Sequence, residues 1–150
     1  MTGTMTIPTP ETEHGTYLFC YIKEHLITNL CARGFQPNTR LQRFNIDGIS
    51  AITCPILLED FIGPKGDQHL QDLDWVAPRA YYHEKVIEKL LRCGAVFPAR
   101  FGTIFSSPDS LERATRNHYR VIDHFLEYMG NKEEWTVKGF IDRAKAEQIA

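Results

Sequence analysis

The chain carries 17 basic and 19 acidic residues among 150, a net charge of −2, and so lacks the basic surplus of a dedicated nucleic-acid binder. With 43% hydrophobic and 24% charged residues it reads as one folded domain, or one domain and part of another, rather than a disordered chain. No apolar run approaches the ~18 residues needed to cross a bilayer.

Residues 1–15 are polar and Thr-rich, with Pro8 and Pro10 and neither a basic nor an apolar export region. They read as a disordered leader, not a signal peptide, with Met5 as an alternative start. Cys20, Cys31, Cys54 and Cys93 are far apart and form no C-x-x-C. Without an export signal they are expected to be reduced, small hydrophobes in a cytoplasmic protein, with no disulfide.

Tyr17 to Lys23 is a strand. Tyr17, Phe19 and Tyr21 fall on one face and Leu18, Cys20 and Ile22 on the other, so it should be central and covered on both sides. Glu24 to Arg33 sets Leu26, Ile27, Leu30 and Cys31 at helical spacing, with Gly34 as a stop. Leu41 to Ile46 and Ile49 to Cys54 are strands joined by Asp47-Gly48, a two-residue hairpin signal. A helical turn from Ile56 to Ile62 ends at Gly63-Pro64, and Lys65 to Gln71 reads as a polar loop. A helix follows from about Asp74 to Arg92, with Pro78 in its first turn and Val76, Ala80, His83, Ile87 and Leu90 on one stripe.

Ala95 to Phe101 is a strand that Pro98 confines to an edge, bulge or end, because proline cannot donate to a ladder. Ser107 is an N-cap and Pro108 suits the first helical position. They open a helix to Met129 with Leu111, Ala114, His118, Ile122, Phe125 and Met129 inward and Gly130 as its stop. Trp135 to Asp142 alternates as a last strand. The order strand, helix, hairpin, helix, strand is the ferredoxin-like split βαβ pattern of an α+β fold.

No catalytic constellation emerges. His118 and His124 are six apart rather than at the i, i+4 spacing of zinc helices, and His14, His25 and His69 have no nearby ligand. His83 on its apolar stripe reads as a core histidine bonded to backbone or to a carboxylate. Arg79 and Arg100 are each open to two readings. One is a buried ion pair with Asp74 or Glu84 that braces strand to helix; the other is contact with an anion or a partner. Gly63-Pro-Lys-Gly66 lacks phosphate-loop spacing, and no serine sits in a nucleophile elbow. No metal or cofactor is expected.

Three blocks occur in order: Asp74-Trp-Val-Ala-Pro-Arg-Ala80 with His83-Glu84; Val96-Phe-Pro-Ala-Arg-Phe-Gly-Thr-Ile-Phe-Ser106; and Glu133-Glu-Trp-Thr-Val-Lys138 with Asp142-Arg143. Together they resemble the gas vesicle protein L/F family (GvpL/GvpF), and the strand from Tyr17 resembles that family's opening strand. The resemblance implies a modified ferredoxin-like domain over 16–106. Residues 107–150 would then be a long helix and an extra strand, beginning a second domain that the chain does not complete.

It also implies a non-enzymatic accessory protein in the cytoplasm and at the gas vesicle. Such a protein assists assembly or joins the wall, with the shell protein and other accessory proteins as partners and neither nucleic acid nor membrane. Asp74, Trp75, Pro78, Arg79, His83, Pro98, Arg100, Phe101, Gly102, Phe105 and Trp135 are the motif residues, structural or interfacial. Two further readings stand beside it: a small ferredoxin-like module sensing an anionic metabolite through Arg79 and Arg100, and an enzyme using the His83 region. The apolar face of Trp135, Val137 and Ile141 predicts a homodimer through residues 135–142.

Overall fold

The computed structural model describes residues 13–30, 32–35 and 39–131. The fold is α+β: one antiparallel sheet covered on both faces. Its strands are β1 (His14–Lys23), β2 (Gln42–Ile46), β3 (Ile49–Leu57), β4 (Val96–Pro98) and β5 (Ile104–Phe105). The order is β2-β3-β1-β4, with β5 also paired to β1. β1 thus lies between β3 and β4, and each crossover skips a strand. Asp47 (φ 48°) and Gly48 (φ 89°) make the hairpin turn between β2 and β3, the left-handed pair that a two-residue loop requires.

The helices are α1 (Gly63–Leu70), α2 (Leu73–Leu91), α3 (Pro108–Asn117) and α4 (Tyr119–Asn131). α2 covers one face, against Phe19, Ile22, Ile52 and Val96. α3 and α4 cover the other through Leu111, Ile122 and Leu126, packed on Leu18, Tyr21 and Ile49. α3 and α4 share a core with β1 across the expected boundary at Ser106/Ser107.

Simple alternation fails in the central strand. The β1–β3 register slips between Leu18 and Cys20, leaving Phe19 as an extra residue. A bulge of this kind resets which side each following residue faces. Tyr17, Phe19, Cys20 and Ile22 therefore share the α2 face, and Leu18 and Tyr21 the other.

Other expectations change: β1 already begins at His14, inside the expected leader, and β3 runs on to Leu57, so that the helical turn expected from Ile56 shrinks to Leu58–Asp60. Among the described residues of 24–33 there is only a 3₁₀ turn, Glu24–Leu26, before an irregular crossover, and no α-helix of the kind expected there. Arg43 of β2 holds this crossover by donating to the carbonyls of Ile27 (2.7 Å) and Glu24 (2.8 Å).

The stretch read as a polar loop is α1. Pro64 starts this helix rather than ending one, and Gly66 lets it approach the Phe61 backbone, where a Cβ would come within 2.3 Å. The helix expected from Ser107 to Met129 breaks at His118 (φ −113°, ψ 15°), which is exposed, and Thr115 and Leu126 are buried in its place. The expected strand over 135–142, with Trp135, lies outside the described residues.

Candidate functional site

Residues 98–103, Pro-Ala-Arg-Phe-Gly-Thr, form the interruption between β4 and β5 at one edge of the sheet. Each residue has a visible structural task, Arg100 through its carbonyl alone. Pro98 pairs opposite Cys20, where its missing N–H leaves no gap in the ladder. Ala99 donates its N–H to the Phe19 carbonyl at 3.0 Å, and Leu18 donates to the Thr103 carbonyl at 2.9 Å. Between these bonds the chain turns. Thr103 N–H donates to the Arg100 carbonyl at 3.2 Å, and Gly102 sits at φ 87°, the third-position geometry that calls for glycine in a type II turn. The Phe101 ring packs 6.3 Å from Phe61 and 6.0 Å from His83.

His83, on α2, fastens this turn to the helix. It is 1% exposed. Its Nε2 lies 2.9 Å from the Ala99 carbonyl and must donate, since a carbonyl only accepts. Nδ1 is then the acceptor, and Tyr17 O–H donates to it at 2.8 Å. Tyr17 in turn accepts the Gly102 N–H at 3.1 Å. The chain of bonds from Gly102 through Tyr17 and His83 to Ala99 begins and ends on the same turn and leaves neither ring nitrogen free.

Burial is the largest influence on His83. It holds the pKa below the ordinary histidine range, against the opposing effects of the Ala99 bond and the Glu84 charge. Burial likewise raises the Tyr17 pKa. A histidine so enclosed has both ring nitrogens engaged inside the protein, by Tyr17 and by the Ala99 carbonyl.

The first block builds the wall beside the turn. Asp72, not Asp74, caps α2 by accepting the Asp74 N–H at 3.0 Å. Trp75 stacks on His69 with centroids 4.5 Å apart, and it meets Phe61 edge-on at 5.2 Å. Arg79 lays its guanidinium 4.0 Å over the Trp75 ring and donates to the Trp75 carbonyl at 2.9 Å. Burial lowers its pKa, opposed by Asp60. Pro78 lies in the second turn, not the first, where its missing N–H frees the Asp74 carbonyl; both residues are exposed. Phe105, on β5, pairs with Thr16 and packs towards α3 and α4.

Arg100 is the exception. Its side chain is exposed and makes no ion pair among the described residues, neither with Asp74 nor with Glu84. The buried brace, one of the two readings there, is absent: Arg100 opens the 100–103 turn with its carbonyl and leaves its side chain exposed. Arg79 is held on Trp75, while Arg100 is exposed.

The sequence reading missed Tyr17 as the hub. A tyrosine rather than a phenylalanine in a fully buried strand was the available signal, since a buried hydroxyl needs a partner. Among the described residues no group of three or more His, Cys, Asp or Glu is placed to hold a metal. No helix there is long and apolar enough to cross a membrane. Cys20 and Cys54 are free and buried, with burial pushing their thiols up to about 12 and about 11, so they behave as core residues.

Comparison with known proteins agrees with this motif architecture. Residues 15–150 match the model of the gas vesicle synthesis protein GvpL/GvpF family. Gas vesicle protein L of Streptomyces sp. (strain CB03234) is 28% identical over 98 residues, covering 65% of this chain and 37% of that protein. The chain thus spans little more than a third of that relative's length. No solved structure matches. With its motif turn accounted for and nearly its whole length matched, the chain belongs to the gas vesicle synthesis protein GvpL/GvpF family.

Proposed function

We propose that the protein is a non-enzymatic gas vesicle accessory protein, acting in the cytoplasm and at the vesicle, that binds the shell protein and other accessory proteins during assembly or in the finished wall. One observation carries this reading beyond family membership. In the 98–103 turn Arg100 serves the architecture only through its carbonyl, and its side chain is exposed on a turn fastened at both ends by hydrogen bonds. A charge held in this way suits recognition of a protein partner. Its immediate neighbour Ala99 is bonded to a histidine already satisfied at both nitrogens, which favours binding over chemistry.

Arg100→Glu tests it. The melting temperature should stay within the range of surface substitutions, and co-purification with the gas vesicle shell protein should fall sharply. Loss of stability with binding retained would return Arg100 to a structural role. We further propose self-association through residues 135–142. Light scattering on the whole chain and on a chain cut after Met129 tests it, and a monodisperse monomer of the whole chain would sink it.

A further inference from the structure

We infer that the outer edge of β2 is a docking site for an acidic polypeptide segment in extended conformation. Three independent observations converge on it. First, the edge is open where it matters. Residues flanking a two-residue hairpin turn form a hydrogen-bonded pair, and such pairs alternate along the ladder. From Ile46↔Ile49, the alternation turns the backbone groups of Arg43 and Asn45 away from β3. Upstream, the same outer side is already used, where Leu41 N–H donates to the Ala32 carbonyl and Gly34 N–H to the Thr39 carbonyl. Downstream, the N–H and C=O groups of Arg43 and Asn45 have no backbone partner among the described residues. The opposite edge is interrupted by the 98–103 turn and lacks a donor at Pro98, so it is the poorer template.

Second, Arg33 and Arg40 form an isolated antiparallel bridge. The bonds on either side of the pair show it to be of the non-hydrogen-bonded kind, in which cross-strand side chains come closest. Both arginines are exposed, and no carboxylate among the described residues pairs with them. Like charges directly opposite destabilise a ladder, and a carboxylate from outside would reverse the sign of that contact. Third, a groove of about 640 Å³ adjoins the edge, lined by Glu24, His25, Ile27, Thr28, Arg43, Asn45 and Gly48. Glu24 and His25 lie on the groove side, so the acidic contact belongs at the Arg33–Arg40 end, three residues or about 10 Å before Arg43.

An added strand would gain main-chain bonds at Arg43 and Asn45, a side chain seated in the groove and carboxylates on the arginine pair. That the natural partner is a gas vesicle protein rests on the function proposed above; the docking site itself does not.

The test uses the whole ¹⁵N-labelled chain and a synthetic peptide of alternating Glu and Val, about ten residues long, a length typical of strands. The peptide should slow amide exchange at Arg43 and Asn45 by about tenfold or more. Replacing both Arg33→Glu and Arg40→Glu should weaken binding by at least about tenfold, as like-charge contacts do. Asn45→Pro removes the outward donor and should abolish binding. Asn45→Ala removes the same side chain but keeps the N–H, and should bind.

Equal binding of unstructured poly-glutamate or duplex DNA, protection at other sites, or full binding by the Arg33/Arg40 variant would each overturn the inference. If the shell protein binds through Arg100 but the peptide gives no protection on β2, this inference falls and the accessory role stands. If the peptide docks on β2 but no gas vesicle protein associates, the accessory role falls and the docking site stands.

Discussion

Tyr17 and Tyr21 sit four residues apart on β1, yet they bury their hydroxyls on opposite faces of the sheet, because the bulge at Phe19 lies between them. On the α3 face, Tyr21 O–H donates to Thr115 Oγ at 2.8 Å, and Thr115 donates to the Leu111 carbonyl at 2.8 Å. That bond joins strand to helix and involves no group that titrates near neutrality. On the α2 face, Tyr17 joins strand, helix and the 98–103 turn at once, through a histidine. One tyrosine anchors a helix, and the other holds the shape of the motif.

The largest predicted effect separates the two faces. His83→Ala leaves the Tyr17 hydroxyl and the Ala99 carbonyl without partners and opens a cavity under Phe101. We expect a loss of about 3 kcal/mol in urea denaturation, with the Gly102 amide losing its exchange protection. A loss under about 1 kcal/mol, typical of a single neutral hydrogen bond, would show that the turn stands without its histidine.

The two tyrosines can then be compared directly. Tyr17→Phe orphans His83 Nδ1 and the Gly102 N–H and should cost about 2 kcal/mol. Tyr21→Phe removes one donor to a Thr115 oxygen and should cost about 1 kcal/mol. Equal losses would remove the distinction between the faces.

Acid should act on the α2 face. In the folded protein burial holds the His83 pKa below 6.5, its ordinary value. As pH falls below 6.5 the unfolded chain takes up a proton that the folded chain resists, so stability declines until the lower folded pKa is reached. Above 6.5 this group contributes no pH dependence. Denaturation midpoints between about pH 7 and 5 should fall for the native chain and fall less for His83→Gln, above the range where most carboxylates titrate. Parallel slopes would place the acid sensitivity elsewhere.

Sequence periodicity revealed much of this frame. The Asp47-Gly48 hairpin, the extent of α2 and the Ser107-Pro108 helix start are local signals, each with its own chemistry on the page. The failures are tertiary. The Phe19 bulge leaves no trace in a strand apolar on both faces. Glu24 to Arg33 has helical spacing, but Arg43 holds the crossover carbonyls that a helix would have used internally. For Arg100 the sequence left a buried brace and an outside contact both open, and only the fold, in which its side chain is exposed, tells against the brace. The open β2 edge and the facing Arg33 and Arg40 depend on strand pairing across a turn, which spacing along the chain does not reveal.

The smallest effect belongs to the ion pairs on the α4 side. Lys23, at the end of β1, reaches Asp123 and Glu127 (2.8 Å) on α4. Its side chain is only 17% exposed, but the carboxylates are 35% and 59% exposed, so solvent screens much of the attraction. Burial lowers the lysine pKa, while hydrogen bonds to both carboxylates outweigh it and raise the net value above 10.5. The sign is opposite to that of His83: this contribution is complete below pH 10.5 and disappears as pH rises through the folded pKa. Lys23→Met should cost about 0.5 kcal/mol in dilute buffer, and the difference from the native chain should shrink towards zero in about 1 M salt. A difference that persists in high salt would mean that Lys23 holds α4 by packing its aliphatic stem, and that both faces of the sheet rest mainly on contacts salt does not reach.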